Sequence, residues 1–162
     1  IDPAFINRNF ERPVTDDLFD GLEKDIVAVF EKTGNDFAKH LENNAADYDL
    51  ETLVSDAFDL LAKYAVGCLF IEKNQFDFKF LADNYRVYRK KFFETMKQYL
   101  AAFIESGKVR PLEQIELSTM LIIEILSWWA MDIRYTSFET QDISPELAKK
   151  VCIDNILSAY KA

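Results

Sequence analysis

The stretch Leu117–Met131 most constrains the fold of this 162-residue chain, because it is apolar around its whole circumference. Wound as a helix, it places Leu117, Leu121 and Trp128 on one side, while other apolar residues cover the remaining sides. Glu124 is its only charged residue. A helix without a polar side must be buried inside a large protein, a membrane or a partner.

The length and the flanks of this stretch disfavour a membrane span. The stretch is shorter than the roughly 20 apolar residues that a span needs, and Glu116 and Asp132 flank it. A single domain of this size rarely encloses a central helix on all sides. We therefore predict that one side packs on the chain's own core and another on a second copy, giving a homodimer without membrane contact.

Composition indicates one helical domain with an acidic first third. Only four glycines and four prolines occur, which favours long uninterrupted helices. The net charge is −9, and residues 15–60 hold 13 acidic residues against three lysines. Nucleic-acid binding depends on clustered Lys and Arg, so nucleic acid is not an expected partner of this segment by itself.

The start of the chain and its cysteines bear on the compartment. The chain opens without an initiator methionine and without the basic and apolar segments of a secretory signal. We expect residues 1–5 to be vector-derived and a native segment to be missing upstream. Cys68 and Cys152 lie far apart among apolar neighbours and are predicted to be buried, reduced thiols, so the expected compartment is the cytoplasm.

Apolar residues recur at helical spacing along the chain, which predicts an all-α fold, an antiparallel bundle of five to six helices. Ser144 and Pro145 form a helix start, and Gly107 is predicted to end a long third helix. Residues 1–14 are predicted to be a tail and residues 15–162 one domain. The predicted helices begin near Thr15, Leu50, Asp83, Pro111 and Ser144, with a short separate helix near Phe76.

Residues that could carry catalysis are sparse. His40 is the only histidine, and it is predicted to lie on the surface without a paired Cys or second His. Serine nucleophile motifs, glycine-rich phosphate loops and zinc spacings are absent from the sequence. Carboxylate pairs such as Asp56 and Asp59 indicate a solvated surface. The sequence therefore predicts no enzyme, no catalytic residue, no cofactor and no metal site.

Basic residues cluster on the polar side of the predicted long third helix. Solvation explains such a cluster, and the alternatives are anchoring the anionic group of a ligand or pairing with the acidic first helix. The cluster consists of Arg86, Arg89, Lys90, Lys91 and Lys97.

Aromatic residues are concentrated in the central helical segments. They form either a plain core or a cavity that is lined by rings and a few polar groups, as ligand sites between helices often are. Glu124 either recognises a ligand there or pairs with Arg134 or Lys149 of a neighbouring subunit. The predicted cavity residues are Leu61, Tyr64, Cys68, Phe80, Tyr88, Phe92, Met96, Glu124 and Trp128.

The order of the helices and two short segments resemble the C-terminal regulatory domain of TetR-family transcriptional repressors. The long third helix ends in the segment Glu105 to Pro111, which is similar to the Gly-x-Ile/Val-Arg-Pro turn that often precedes the penultimate helix of that family. Residues 9–19 resemble the Phe-x-x-Lys-x-x-Leu signature that joins the family's helix-turn-helix to its connecting helix, although Arg12 and Pro13 depart from it.

The resemblance implies a homodimer in which the last two helices of each subunit form a four-helix interface. It also implies a small-molecule effector in the bundle, and DNA contacts only through an N-terminal helix-turn-helix that this chain lacks. A stand-alone helical adaptor that binds another protein through the same apolar surface is the alternative. The predicted interface residues are Leu121, Ile125, Trp129, Ile133, Val151, Ile156 and Tyr160.

Overall fold

A computed structural model describes residues 16–138 and 142–162, with side chains from Gly21 onward. These residues form helices and no strand, so the prediction of an all-α helical bundle is confirmed. A π-helical segment, Trp128–Asp132, joins the fourth and fifth helices. The helices are α1 (Asp16–Ala38, continued by a 3₁₀ turn at Lys39–Asn43), α2 (Leu50–Lys73), α3 (Lys79–Glu105), α4 (Ile115–Ser127), the short α5 (Ile133–Tyr135) and α6 (Pro145–Tyr160).

Helix α2 lies at the centre of the bundle, where it contacts α3, α4, α6 and the π-helical segment. The core consists of large side chains from each of these helices, among them Phe58 of α2, Tyr99 and Phe103 of α3, Leu126 of α4 and Ile156 of α6. Burial of each such side chain contributes about 1.5–3 kcal/mol to folding. Helix α1 differs from the others because α3 is the helix on which it mainly packs.

Several helix ends follow the capping signals of the sequence. The Ser144 hydroxyl accepts a hydrogen bond from the backbone N–H of Leu147 at 3.2 Å, and Pro145 is the first residue of α6. Gly107 has a φ of +75° after α3, the left-handed conformation that the predicted C-cap requires. The predicted cap at Thr15 lies outside the described residues.

The prediction of a separate helix near Phe76 is wrong, and α3 begins at Lys79 rather than Asp83. The chain turns between α2 and α3 because Asn74 terminates α2. The Asn74 side-chain amide donates to the carbonyl oxygen of Phe70 at 2.8 Å, and its own carbonyl accepts two backbone N–H groups of the following turn.

The predicted helix start at Pro111 is also wrong, since α4 begins at Ile115. The backbone N–H of Arg110 donates to the carbonyl oxygen of Tyr160 at 3.0 Å, which ties this segment to the end of α6. Pro111 also disfavours helical backbone angles at the residue before it, Arg110. Pro111 therefore lies outside a helix, next to the end of α6, and α4 begins only at Ile115.

The apolar stretch of α4 and the π-helical segment divides into a buried side and an exposed side. Ile122, Leu126 and Met131 are buried in the core, as predicted for one side of the stretch. Leu121 and Trp128 are exposed on the other side. No helix within the described ranges is long and apolar enough to cross a membrane.

The connection between α1 and α2 is fixed by one lysine, which follows α3 in the chain. Lys108 Nζ donates to the backbone carbonyl oxygens of Ala45, Ala46 and Tyr48 at 3.3, 3.1 and 2.6 Å. Asn44 and Ala45 both have a φ of +55°, a left-handed conformation that costs roughly 1–2 kcal/mol per non-glycine residue. The contacts of Lys108 therefore hold a backbone conformation that is unfavourable in isolation.

Aromatic contacts extend this fixed connection into the core. The Tyr99 hydroxyl donates to the carbonyl oxygen of Phe37 at 2.5 Å, and burial raises the pKa of Tyr99 to about 12. Tyr48 donates to the carboxylate of Asp56, and its ring stacks on His40 with centroids 4.0 Å apart. His40 is therefore half-buried in the structure rather than the surface residue that the sequence indicated.

We expect Lys108→Met to lower the free energy of unfolding by about 2 kcal/mol, because hydrogen bonds to a charged donor contribute roughly that much. The measurement is urea denaturation followed by circular dichroism. Lys150→Met, at an exposed position of α6, is the matched control and is expected to leave stability nearly unchanged. Equal stabilities of the two variants would contradict this role of Lys108.

Candidate functional site

A cavity of about 500 Å³ lies between the first half of α1 and the last half of α2. Its wall is largely apolar and includes Ile26 and Phe30 of α1, Ile71 of α2 and Leu81 of α3. The volume falls in the range of roughly 300–1,000 Å³ that is typical of small-molecule sites. Lys63 is one of the few charged residues in the wall.

A smaller space of about 20 Å³ adjoins this cavity. Its volume is close to that of one water molecule. The four residues that line both spaces are Val29, Phe30, Tyr64 and Cys68. These side chains form a partition between the two spaces. The remaining wall of the smaller space consists of Thr33, Leu60, Leu61, Tyr85, Tyr88, Arg89 and Phe92.

The structure brings five of the nine predicted cavity residues together around the smaller space, namely Leu61, Tyr64, Cys68, Tyr88 and Phe92. Met96 is fully buried in the core, and Phe80 is half-exposed at the start of α3. Glu124 and Trp128 do not line either space, because α4 turns its other side toward α2 and α3. The predicted use of these two residues as a cavity wall is therefore not supported by their positions.

The α1 side of the cavity was missed by sequence reasoning. Leu22, Ile26 and Val29 recur at helical spacing, which predicts a helix but not which neighbour its apolar side meets. In the structure Leu22 and Val29 are exposed to the cavity by about half of their surface, since α1 packs on α3 and leaves its α2 side open. Periodicity alone does not distinguish a packed stripe from a cavity wall.

Uncharged phenol and thiol groups surround the smaller space. The Tyr85 hydroxyl donates to Glu72 Oε1 at 2.7 Å, and burial raises the pKa of both Tyr85 and Tyr88 far above the ordinary value. Burial also raises the pKa of the Cys68 thiol. Arg89 lines the same space, and its positive charge acts on the pKa of all three groups in the opposite direction.

A second, polar groove of about 400 Å³ follows α1 and α2 toward their connection. Acidic and basic side chains alternate along it, including Lys32, Asp36 and Asp59. Lys149 of α6 reaches one of these, with its Nζ 2.7 Å from Asp59 Oδ2, so its partner lies in its own chain rather than in a neighbour. Within the described ranges, no group of three His, Cys, Asp or Glu residues is arranged to hold a metal ion.

Helices α4 and α6 contact each other and present apolar side chains on their outward side. Each of these side chains is between 38% and 59% exposed. We call this surface the α4–α6 face, and it consists of Leu117, Met120, Leu121, Ile125, Trp128, Leu147 and Val151. Contiguous apolar patches of this kind on a small domain mark interaction sites.

The predicted interface residues divide between this face and the core. Leu121, Ile125 and Val151 belong to the α4–α6 face. The other predicted residues, except Ile156, are partly buried. Ile156 is 1% exposed and packs in the core, so it is unable to contact a partner. Trp128, predicted for the cavity, lies on the face instead. The partly buried residues are Trp129, Ile133 and Tyr160.

Comparison with known proteins identifies no relative of this chain. A scan against protein-family models matches no family, and searches of curated proteins and of solved structures find no significant match. The cavity and the α4–α6 face are therefore the two features that bear on function.

We expect the Cys68 thiol of the folded protein to react with Ellman's reagent at pH 8 at least about tenfold more slowly than in the denatured chain, because the thiolate is the reactive form and burial disfavours it. The test uses a Cys152→Ser variant with and without guanidinium. The Cys68→Ser variant is the control and reports on Cys152, whose pKa burial raises to about 11. Equal folded and denatured rates for Cys68 would contradict its burial.

Proposed function

We propose that this chain is the effector-binding and dimerisation domain of a TetR-like transcriptional regulator. The observation that carries the proposal is the apolar cavity of about 500 Å³ between α1 and α2. The side chains that line a cavity of that size lack packing contacts on one side. A bound apolar molecule supplies those contacts. The all-α bundle with a capped last helix is consistent with the resemblance noted in the sequence.

Helix α1 is the element through which a bound effector acts. Aromatic contacts hold it on α3, with Phe30 stacked on Tyr88 at 5.0 Å between centroids and Phe37 stacked on Phe92 at 5.1 Å. Its other side borders the cavity. An effector that fits better when α1 is displaced shifts the population toward that position. In the proposed regulator α1 follows the DNA-binding domain, so this shift alters the spacing of the two DNA-reading heads.

Dimerisation through the α4–α6 face completes the proposal. A two-fold interface uses the same patch on both subunits, and α4 and α6 of each then form a four-helix arrangement. The exposed apolar residues on both helices supply matching surfaces for such contact. Glu124 and Trp128 lie on this side of α4 and its extension, so they belong to the interface in this arrangement.

Binding in the cavity is tested with N-phenyl-1-naphthylamine, a neutral apolar dye whose fluorescence rises in apolar surroundings. No described heavy atom lies within 4 Å of a Cβ placed on Gly67, which lines the cavity, so Gly67→Trp fills that space. We expect the variant to bind the dye at least about tenfold more weakly, a loss of about 1.4 kcal/mol.

Gly21→Trp is the matched control for this substitution. A Cβ at Gly21 also meets no described atom within 4 Å, but Gly21 is not among the wall residues. We expect this variant to bind the dye like the unmodified chain. Absence of dye binding by the unmodified chain would overturn the effector-binding role.

We expect the chain to be a dimer at micromolar concentration, and Leu121→Glu to weaken the dimer about a hundredfold, because like charges placed against each other cost several kcal/mol. Sedimentation velocity over a concentration series measures this. The control is Val87→Glu on α3, where Val87 is 69% exposed but away from the α4–α6 face. A monomeric unmodified chain would favour the adaptor, which uses the same face for a different protein.

A further inference from the structure

One cationic group beside the cavity has no partner. Arg89 lines the smaller space, and its Nη1 atom is buried without a hydrogen-bond acceptor among the described residues. The guanidinium is charged at any physiological pH and has five N–H donors. A buried charged donor without an acceptor is unfavourable, and in native proteins such a group calls for an explanation.

Three neighbouring basic residues of α3 have polar partners, unlike Arg89. Arg86 donates to Asp83 at 2.9 Å and to Gln75 at 2.7 Å. Lys91 donates to Asn35 at 2.7 Å, and Lys97 Nζ lies 3.0 Å from Glu94. These pairs account for most of the basic cluster that the sequence placed on this helix. Among the basic residues of this cluster, Arg89 is the one that lines the smaller space.

Glu72 does not neutralise Arg89. Its carboxylate accepts the hydroxyl of Tyr85 at 2.7 Å, and it forms no ion pair with Arg89. Burial favours the uncharged forms of the Tyr88 phenol and the Cys68 thiol. The other polar groups of the space are the hydroxyls of Thr33, Tyr64 and Tyr85. Among the described residues, Arg89 is therefore the one charged residue that lines the smaller space, whereas Glu23, Asp25 and Lys63 line the larger cavity.

We propose that the effector is an apolar molecule with one carboxylate, whose body fills the 500 Å³ cavity and whose carboxylate binds Arg89 in the smaller space. The partition of Val29, Phe30, Tyr64 and Cys68 lies between the two parts of such a ligand. The planar guanidinium matches a carboxylate with two parallel hydrogen bonds. The smaller space, at about 20 Å³, favours the smallest head group that forms this pair. This inference rests on the proposed effector-binding function.

The experiment compares dodecanoate with dodecanol, two probes that share the apolar chain and differ in the head group. Displacement of N-phenyl-1-naphthylamine measures both affinities. We expect dodecanoate to bind at least about tenfold more tightly than dodecanol, since a hydrogen bond to a charged group is worth that factor or more. Arg89→Met should abolish the preference, with the affinity for dodecanoate falling to that for dodecanol. Arg86→Met removes one exposed charge from the same helix and should retain the preference.

The outcomes separate this inference from the proposed function. Equal affinity of the unmodified chain for both probes, or an equal loss of both in Arg89→Met, overturns the carboxylate assignment and leaves the cavity intact. Failure of the dye itself to bind overturns the proposed function and the inference with it. If Arg89→Met does not fold, Arg89→Gln replaces it in the same comparison. A melting temperature of Arg89→Met well below that of the unmodified chain also counts against the assignment, because a structural role predicts that loss.

Discussion

The hydrogen bonds from Lys108 to the carbonyl groups of Ala45, Ala46 and Tyr48 determine how the rest of the bundle is arranged. They fix the connection between α1 and α2 to the end of α3, so the two helices meet at one end of the bundle. Toward the other end α1 continues along α3, and the space between α1 and α2 widens into the cavity. One end of this helical pair is therefore tied by hydrogen bonds, and the opposite end borders the cavity.

Much of the fold was predictable from the sequence because its signals are local. The all-α class follows from helical periodicity, and the boundaries at Ser144 and Gly107 follow from capping, which depends on a few adjacent residues. The boundaries at Lys79 and Ile115 were mispredicted because distant contacts set them. The hydrogen bond between Arg110 and Tyr160 joins residues 50 positions apart, and no local pattern reveals it.

The candidate site was predictable only in part, for a related reason. Periodicity identifies which residues of a helix share a side, but not which neighbour that side meets. Tyr64 and Tyr88 were correctly placed beside a space between helices. Trp128 was assigned to the cavity and Ile156 to the dimer interface, whereas Trp128 lies on the α4–α6 face and Ile156 in the core, because the orientation of α4 and α6 depends on how both pack on α2.

The rigid connection and the long first helix together give the domain the geometry of a lever. Asn44 lies at the fixed end, Phe30 beside the cavity and Asp16 at the far end of α1. Phe30 is 44 − 30 = 14 residues from Asn44 and 30 − 16 = 14 residues from Asp16. Because the rise per residue is nearly constant, a sideways displacement of about 1 Å at Phe30 becomes about 2 Å at Asp16. In the proposed regulator, the position of the cavity along α1 thus gives a gain of about two between a displacement at Phe30 and the displacement at Asp16.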